Sequence, residues 1–346
     1  MPTSHYAIIC RHGIASDDLV VFMDGDTIIE PGLIAKCAPL FAMRPNLGAV
    51  TTDEVATVAG PGWMQDWYAL RFAQRRLVME SHSLSRRVLT LTGRLSIFRG
   101  EIAQDEEFIR TIETDSLDHW LWGRFRFLSG DDKSTWYWVL KSGYEMLYVP
   151  DALCRTVENI GINPYERLVQ NLLRWSGNML RNGTRAIALG PRRIPFFIWW
   201  CLIDQRLAMW TMLTGPTAAL LFSFRWGPDT ILAYFIWVIV TRLLLSCVLF
   251  FYAGEIFLSF PFLLYLNQLV TSGVKVHLPF RLSKQRWLNR GDQRSPAAAR
   301  LGFSLRDLMA NFLTIFYISL LILGIAIYTG AAELPRFRTA WAWLSH

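Results

Sequence analysis

Two aspartates one residue apart, Asp24 and Asp26 in Met23-Asp24-Gly25-Asp26-Thr27, follow directly on the apolar run Leu19-Val20-Val21-Phe22. That run predicts a short buried strand over Leu19–Phe22, and side chains two apart on an extended segment project the same way. In an open α/β sheet, ligands bind in the crevice beyond the carboxyl ends of the strands. Paired carboxylates there suit a hard divalent cation that bridges to a nucleotide diphosphate. Gly25 lets a bulky ligand approach the backbone. The bland alternative is a solvated turn after a strand.

Three further constellations could carry chemistry. Gly130-Asp131-Asp132-Lys133 follows a strand-like segment, Phe125–Leu128, and opens a helix predicted to reach Lys141. A transfer that deprotonates an acceptor hydroxyl needs one carboxylate as general base; the alternative use of such an aspartate is an N-cap. Arg174-Trp175 lies within Gln170-Asn171-Leu172-Leu173-Arg174-Trp175. Arginine offers two parallel hydrogen bonds to a phosphate, and tryptophan a flat face to a sugar ring. Alternatively the pair is an interfacial anchor with a snorkelling arginine. The last is Thr92-Gly93-Arg94-Leu95-Ser96-Ile97-Phe98-Arg99, with two arginines beside a strand end.

The elements that must position these residues alternate between short strands and helices, which argues for an α/β sheet with active loops on one edge. Pro31 can start a helix that continues over Gly32–Phe41. Strands are expected at Gly48–Thr52, Val88–Leu91 and Met146–Val149, the last stopped by Pro150. Helices are expected at Trp63–Arg87, Asp105–Trp122 and Pro164–Asn182.

The 346 residues are 52% hydrophobic, with 15 Trp and 22 Phe, too apolar for an ordinary soluble domain. The apolar residues divide the chain into a globular part over 1–190 and a membrane part over 191–346. Pro195–Leu202 reads as an interfacial helix. Candidate spans are Leu207–Phe224, Ile231–Tyr252, Ile256–Gly273 and Met309–Tyr328, about 20 residues being needed to cross a bilayer. Between Lys275 and Asp307 basic residues far outnumber acidic ones, which predicts a cytoplasmic loop over 275–307. Counting crossings would put that loop outside, and the conflict resolves if Ile256–Gly273 is interfacial or re-entrant, leaving three to four spans. The net charge of +7 concentrates near these flanks, so it concerns topology and anionic ligands. No aromatic-basic recognition motif argues for nucleic acid. The five cysteines are scattered singly, without zinc spacing.

Asp-x-Asp, then Thr-Gly-x-x-x-x-Phe-Arg, then Gly-Asp-Asp, then Arg-Trp, then membrane helices is an order that resembles the processive family 2 glycosyltransferases, and among them the mannuronan synthases of bacterial alginate assembly. Arg11-His12-Gly13-Ile14-Ala15, Met146-Leu147-Tyr148-Val149-Pro150-Asp151, Arg174-Trp175 with Asn178, and Asp204-Gln205-Arg206 share in the resemblance. It implies a GT-A-like nucleotide-sugar transferase domain followed by an α-helical transmembrane domain, in a multi-pass protein of the bacterial inner membrane with its catalytic part in the cytoplasm. It implies that Asp24 and Asp26 hold Mg2+ or Mn2+ and the diphosphate of a GDP-sugar. Asp132 would be the general base with Asp131 beside it, and Arg174 and Trp175 would hold the diphosphate and the acceptor sugar. Thr92, Gly93, Arg94 and Arg99 would line the acceptor side, with Lys133, Arg94 and Arg99 candidates for a uronate carboxylate. Asn171 stands where the family has Gln. The implied partners are the growing polysaccharide, the bilayer, and an envelope-spanning alginate complex with a cyclic-di-GMP receptor subunit. The expected product is β-1,4-linked polymannuronate. Alternatives are a hyaluronan-, cellulose- or chitin-like synthase, or a non-catalytic membrane subunit. Because the first strand falls almost at once on Asp24, the chain is expected to be N-terminally incomplete and impaired in donor binding.

Overall fold

The computed structural model describes residues 13–126, 131–160, 163–253, 257–284 and 304–333, with the side chains of 126 and 131 left aside. A five-stranded mixed sheet organises the first part, in the order β1-β4-β3-β7-β2. β1 is Leu19–Met23, β2 Thr27–Ile29, β3 Leu47–Ala59, β4 Leu95–Arg99 and β7 Glu145–Asn159. β5 (Ser116–His119) and β6 (Gly123–Arg126) form a separate antiparallel pair. The helices are α1 Leu33–Met43, α2 Gly62–Ser83, α3 Gly100–Ala103, α4 Glu106–Thr114, α5 Asp131–Lys141, α6 Pro164–Leu189, α7 Phe196–Trp226, α8 Asp229–Ala253, α9 Phe260–His277 and α10 Leu305–Tyr328.

β3 is the axis of the sheet. Its first eight residues are all buried, as expected of a strand covered on both faces. It runs parallel to β7 from Leu47 opposite Glu145 to Ala59 opposite Asn159. β4 lies antiparallel to both β3 and β1. The expectation of a buried first strand is corrected: β1 is an edge strand, as β2 is at the other side, and Val21 and Met23 are exposed. β7 does not stop at Pro150. The register instead shifts between Thr52–Val149 and Asp53–Leu153. Proline has no N–H for the ladder, so the strand bulges around it and resumes.

Two other expectations are revised. Val88–Leu91 is irregular. Its main chain is taken up by side chains, with Val88 O accepting from Trp136 Nε1 at 2.7 Å and Leu89 O from Lys133 Nζ at 2.7 Å. The helix expected over Asp105–Trp122 ends at Thr114, and the β5–β6 pair follows. Gly123 has φ 69, a left-handed conformation glycine adopts without strain, and it lets the chain reverse there.

In the second part, α7, α8 and α10 are long and apolar enough to cross a membrane. Pro195–Leu202 and the first expected span join in one helix, α7, because Ile203-Asp204-Gln205-Arg206 contains no helix breaker. α9 is not among the three candidate spans; it packs against α2, α6, α7 and α8. Most of the basic loop lies outside the described residues.

The two parts share their cores. Trp67 and Leu70 of α2 cluster with Leu249 of α8 and Phe260, Leu263 and Leu264 of α9. Further along α2, Met79 joins Phe98, Trp136 and Tyr148 in a cluster with Ile198 and Leu202 of α7.

Candidate active site

The register of β1 on β4, Met23 opposite Leu95, brings the turn after β1 against the segment before β4. Asp24 N donates to Arg94 O at 3.2 Å, and Thr27 N closes the turn on Asp24 O at 3.1 Å. Gly93 occupies the junction. A methyl group on its α-carbon would lie 3.6 Å from Asp24 Oδ2 and 3.6 Å from Asp132 Cβ. Glycine at this position therefore leaves open the space between two carboxylates that are 108 residues apart in sequence. Thr92 is pinned on the inner side. Its N–H donates to Thr51 Oγ1 and its hydroxyl to Glu54 Oε2, both at 3.1 Å. Asp26 is exposed on the same turn as Asp24.

Asp132 sits in the first turn of α5, where the positive end of the helix dipole favours a charged carboxylate. Asp131 begins the helix, and its side chain, like Gly130, lies outside the described residues. Two contacts hold this end of α5, one of them backed by an ion pair. Ser134 Oγ donates to Asp115 Oδ2 at 2.5 Å, Asp115 is paired with Arg185 at 2.9 Å, and Lys133 Nζ binds Leu89 O. Lys133 also lies 5.2 Å from the Trp136 ring. Burial pulls its ammonium down to about 8, with Asp132 opposing and Arg75 adding to the fall.

α6 supplies the third wall, and its buried face is polar. Asn171, Ser176, Asn178, Arg181 and Asn182 are all buried, Arg181 at 0% exposure. Arg174 and Arg181, two helical turns apart on one face, both lie within the electrostatic reach of Asp132. Burial lowers the Arg174 guanidinium, as does Arg167, while Asp132, Glu158 and Tyr68 oppose. Burial lowers Arg181 to about 10, against Asp115 and Asp132. Arg181 was not singled out in the sequence; its spacing of seven from Arg174 is the signal that could have found it.

The remaining candidates are engaged elsewhere. Arg94 reaches back to Glu158 at 2.5 Å and Glu54 at 3.6 Å, and lies over Phe72. Arg99 sits at the far end of β4, opposite Leu19, and donates to the carbonyls of Leu47, Phe41 and Arg44 at 2.6 Å each. Asn171 donates to Tyr68 OH at 3.1 Å, which in turn donates to Glu158 Oε2 at 3.3 Å. Trp175 stacks on Trp67 with centroids 6.0 Å apart and planes 9° apart. Of the candidates whose side chains are described, Asp24, Gly93 and Asp132 meet at one crevice, Arg174 lies within the electrostatic reach of Asp132, and Asp26 is exposed on the turn that carries Asp24. Arg94, Arg99, Lys133 and Asn171 brace the scaffold.

An acidic layer lies beneath. Asp53 accepts from Tyr148 OH at 2.6 Å and from Arg76 at 2.5 Å, and Glu54 pairs with Arg75 at 3.3 Å. These carboxylates are compensated by cations. Asp24 and Asp26 stand on a turn and not on the extended segment expected from the sequence, and both offer only carboxylate oxygens, a donor set that fits a hard cation completing its shell with water and phosphate.

Comparison with known proteins gives these contacts a context. Residues 4–178 match the family described as glycosyltransferase like family 2. The chain is 43% identical over 283 residues to a glycosyltransferase alg8 of Pseudomonas syringae pv. tomato, and 42% identical over 283 residues to that of Azotobacter vinelandii. In each case 82% of this chain is covered and it spans 57% of the relative's length. A mannosyltransferase from Pyrobaculum calidifontis, solved with GDP-mannose and Mn2+, aligns with a TM-score of 0.41 and 18% identity over 78% of this chain and 64% of its own, a similarity at which no residue role transfers. The family match begins ahead of β1 and closes at Asn178 on α6, so it takes in the whole crevice around Gly93, and on that coverage the chain belongs to glycosyltransferase-like family 2.

Proposed function

We propose that this chain carries the transfer crevice of a membrane-embedded, inverting glycosyltransferase that polymerises mannuronate from GDP-mannuronate into a β-1,4-linked chain. The observation that carries the reading is the meeting of Asp24 and Asp132, 108 residues apart in sequence, on either side of Gly93. Asp24 and Asp26 would hold Mg2+ or Mn2+, and the bound cation supplies charge stabilisation to the departing diphosphate. Asp132 accepts the proton of the acceptor hydroxyl, whose oxygen attacks the anomeric carbon from the face opposite the diphosphate. The new C–O bond forms as the bond to the diphosphate breaks, so an α-linked donor gives a β-linked product. Arg174 offsets negative charge on the leaving group.

The alg8 relatives support placement in alginate synthesis, and the apolar helices α7, α8 and α10 support a bilayer setting. We place the protein in the inner membrane with the crevice in the cytoplasm, on the charge of the 275–307 segment. The envelope-spanning complex and its cyclic-di-GMP receptor subunit belong to the same proposal. A synthase of an N-acetylglucosamine polymer is a second reading, because relatives named N-acetylglucosaminyltransferase match at 25% and 26% identity.

Donor turnover in membranes decides between them. GDP-mannuronate, UDP-glucuronate, UDP-glucose and UDP-N-acetylglucosamine are each supplied with Mg2+ or Mn2+ to the chain, to an N-terminally extended form and to the Asp132→Asn variant of each. The expected result is nucleotide release from GDP-mannuronate alone, reduced in the variant by about 100-fold or more, as loss of a general base implies. Release from another donor replaces the substrate. Equal release by the variant removes Asp132 from the chemistry.

A further inference from the structure

Below the crevice, α2, α6, α7 and α9 bring together three half-buried cations that have no ion pair among the described residues. Arg71 of α2 lies 5.5 Å over the Trp175 ring, and its Nε is buried without a hydrogen-bond partner. Arg206 of α7 donates to Leu180 O at 2.6 Å and Thr184 Oγ1 at 2.7 Å on α6. Lys275 of α9 lies within the electrostatic reach of both arginines. Among the described residues none of the three has an ion pair, although Asp53, Glu54, Glu158 and Asp115 each have one. The nearest acid in sequence, Asp204, is exposed. Burial first, and then Arg71 and Arg206, pull the Lys275 ammonium down to about 8.

The surroundings are suited to sugar hydroxyls. Asn267, Thr271 and Lys275 recur every fourth residue on α9 and so share a face. Thr271 Oγ1 and the neighbouring Gln268 Oε1 are buried with no partner. Asn267 Oδ1 accepts from Trp67 Nε1 at 3.0 Å, and Trp67 stacks on Trp175, one residue from Arg174 at the crevice. Like charges held together away from water are unfavourable unless an anion joins them. An anion that carries carboxylates and hydroxyls together would satisfy both sets of groups.

We propose that Arg71, Arg206 and Lys275 form a subsite for the carboxylates of a uronate chain as it leaves the crevice, an assignment that rests on the transferase reading above. The subsite gives a selectivity for charged product that is separate from donor choice. A neutral polymer would leave the three cations uncompensated, whereas each passing uronate neutralises them in turn.

The test is binding to the chain in neutral phosphatidylcholine nanodiscs. The probes are an oligomannuronate and the uncharged β-1,4-linked oligomannose of the same length, read by tryptophan fluorescence. The oligomannuronate should bind, more weakly as salt rises. Lys275→Ala and Arg71→Gln should each weaken it by at least about tenfold, while Lys275→Arg stays near wild type. Binding of the neutral oligomer should not change. The thermal midpoint of Lys275→Ala should equal or exceed that of wild type, because a repelling cation has gone; a merely structural lysine would lower it. Equal affinity for the two oligomers, or unchanged affinity in the variants, overturns the subsite. So does competitive displacement by phosphatidylglycerol, which would make it a lipid headgroup site. Binding of GDP with Mn2+ is followed on the same samples. Retained GDP binding with failed oligomannuronate binding removes the subsite alone, and loss of both, in an N-terminally extended form as well, removes the transferase reading.

Discussion

Gly93 separates the two carboxylates, and its substitution isolates geometry from stability. A methyl group there meets Asp24 and Asp132 at ordinary contact distance, so Gly93→Ala should fold. It would nevertheless occupy the space a substrate needs. We expect a thermal midpoint close to that of wild type and transfer reduced by about 100-fold, since small misplacements of reacting groups cost that much. Unchanged turnover would show that substrate does not approach Gly93. Gly48 contrasts with it: a Cβ there would lie 2.6 Å from Tyr144 Cβ, so the strand itself would have to shift. Of the three cations expected to meet a uronate, Arg94, Arg99 and Lys133, the residue type was legible and the commitment was not. Their partners, Glu158 for Arg94 and Leu47 O for Arg99, lie 64 and 52 residues away in sequence. Nothing local signals those pairings.

At the scale of elements, turns were easier to read than strand directions. The Asp24, Gly93 and Asp132 loops were visible because aspartate and glycine interrupt apolar runs. The antiparallel placement of β4 was not, because alternation of side chains carries no information about strand direction. Pro150 suggested an end to β7 because the parallel partner that carries the strand past it, the second half of β3, is equally invisible locally. The helix α4 stopped early for a tertiary reason, since Asp115 is held by Arg185 and Ser134 rather than by the next helical turn. The end of α2 offers a pH test. His82 is buried, with Nδ1 unpartnered and Phe197 of α7 against its ring at 6.0 Å. Burial, and then Lys133, holds its imidazole at about 4. Between its usual pKa and that value the unfolded chain takes up a proton that the folded chain refuses. Stability therefore falls as pH drops through that window, by up to about 3 kcal/mol. The thermal midpoint in detergent should decline on acidification, and His82→Leu should flatten the decline. An unchanged slope would place the acid sensitivity elsewhere.

For the molecule as a whole, the division at about residue 190 is a division of composition and not of packing. Ile198, Leu202, Leu249, Phe260, Leu263 and Leu264 all contribute to cores that the sheet and α2 also use. Losing six such side chains removes on the order of 10 kcal/mol of apolar burial, comparable with the whole stability of a domain. A chain cut after Leu189 should therefore aggregate or lose its near-ultraviolet dichroism. A monomeric, cooperatively melting product would show that the sheet stands without the membrane helices.

α2 touches both ends of this arrangement. Near its start Trp67 stacks on Trp175 and binds Asn267 of α9, and two turns later Arg75 grips Glu54, the carboxylate that holds the Thr92 hydroxyl. One rod of about 33 Å thus links the sheet to the helices beneath it. A single stiff segment therefore connects Trp67, beside Trp175, to Thr92, beside Gly93, through Arg75 and Glu54, so a substitution at Trp67 should be felt at the gap between the two carboxylates.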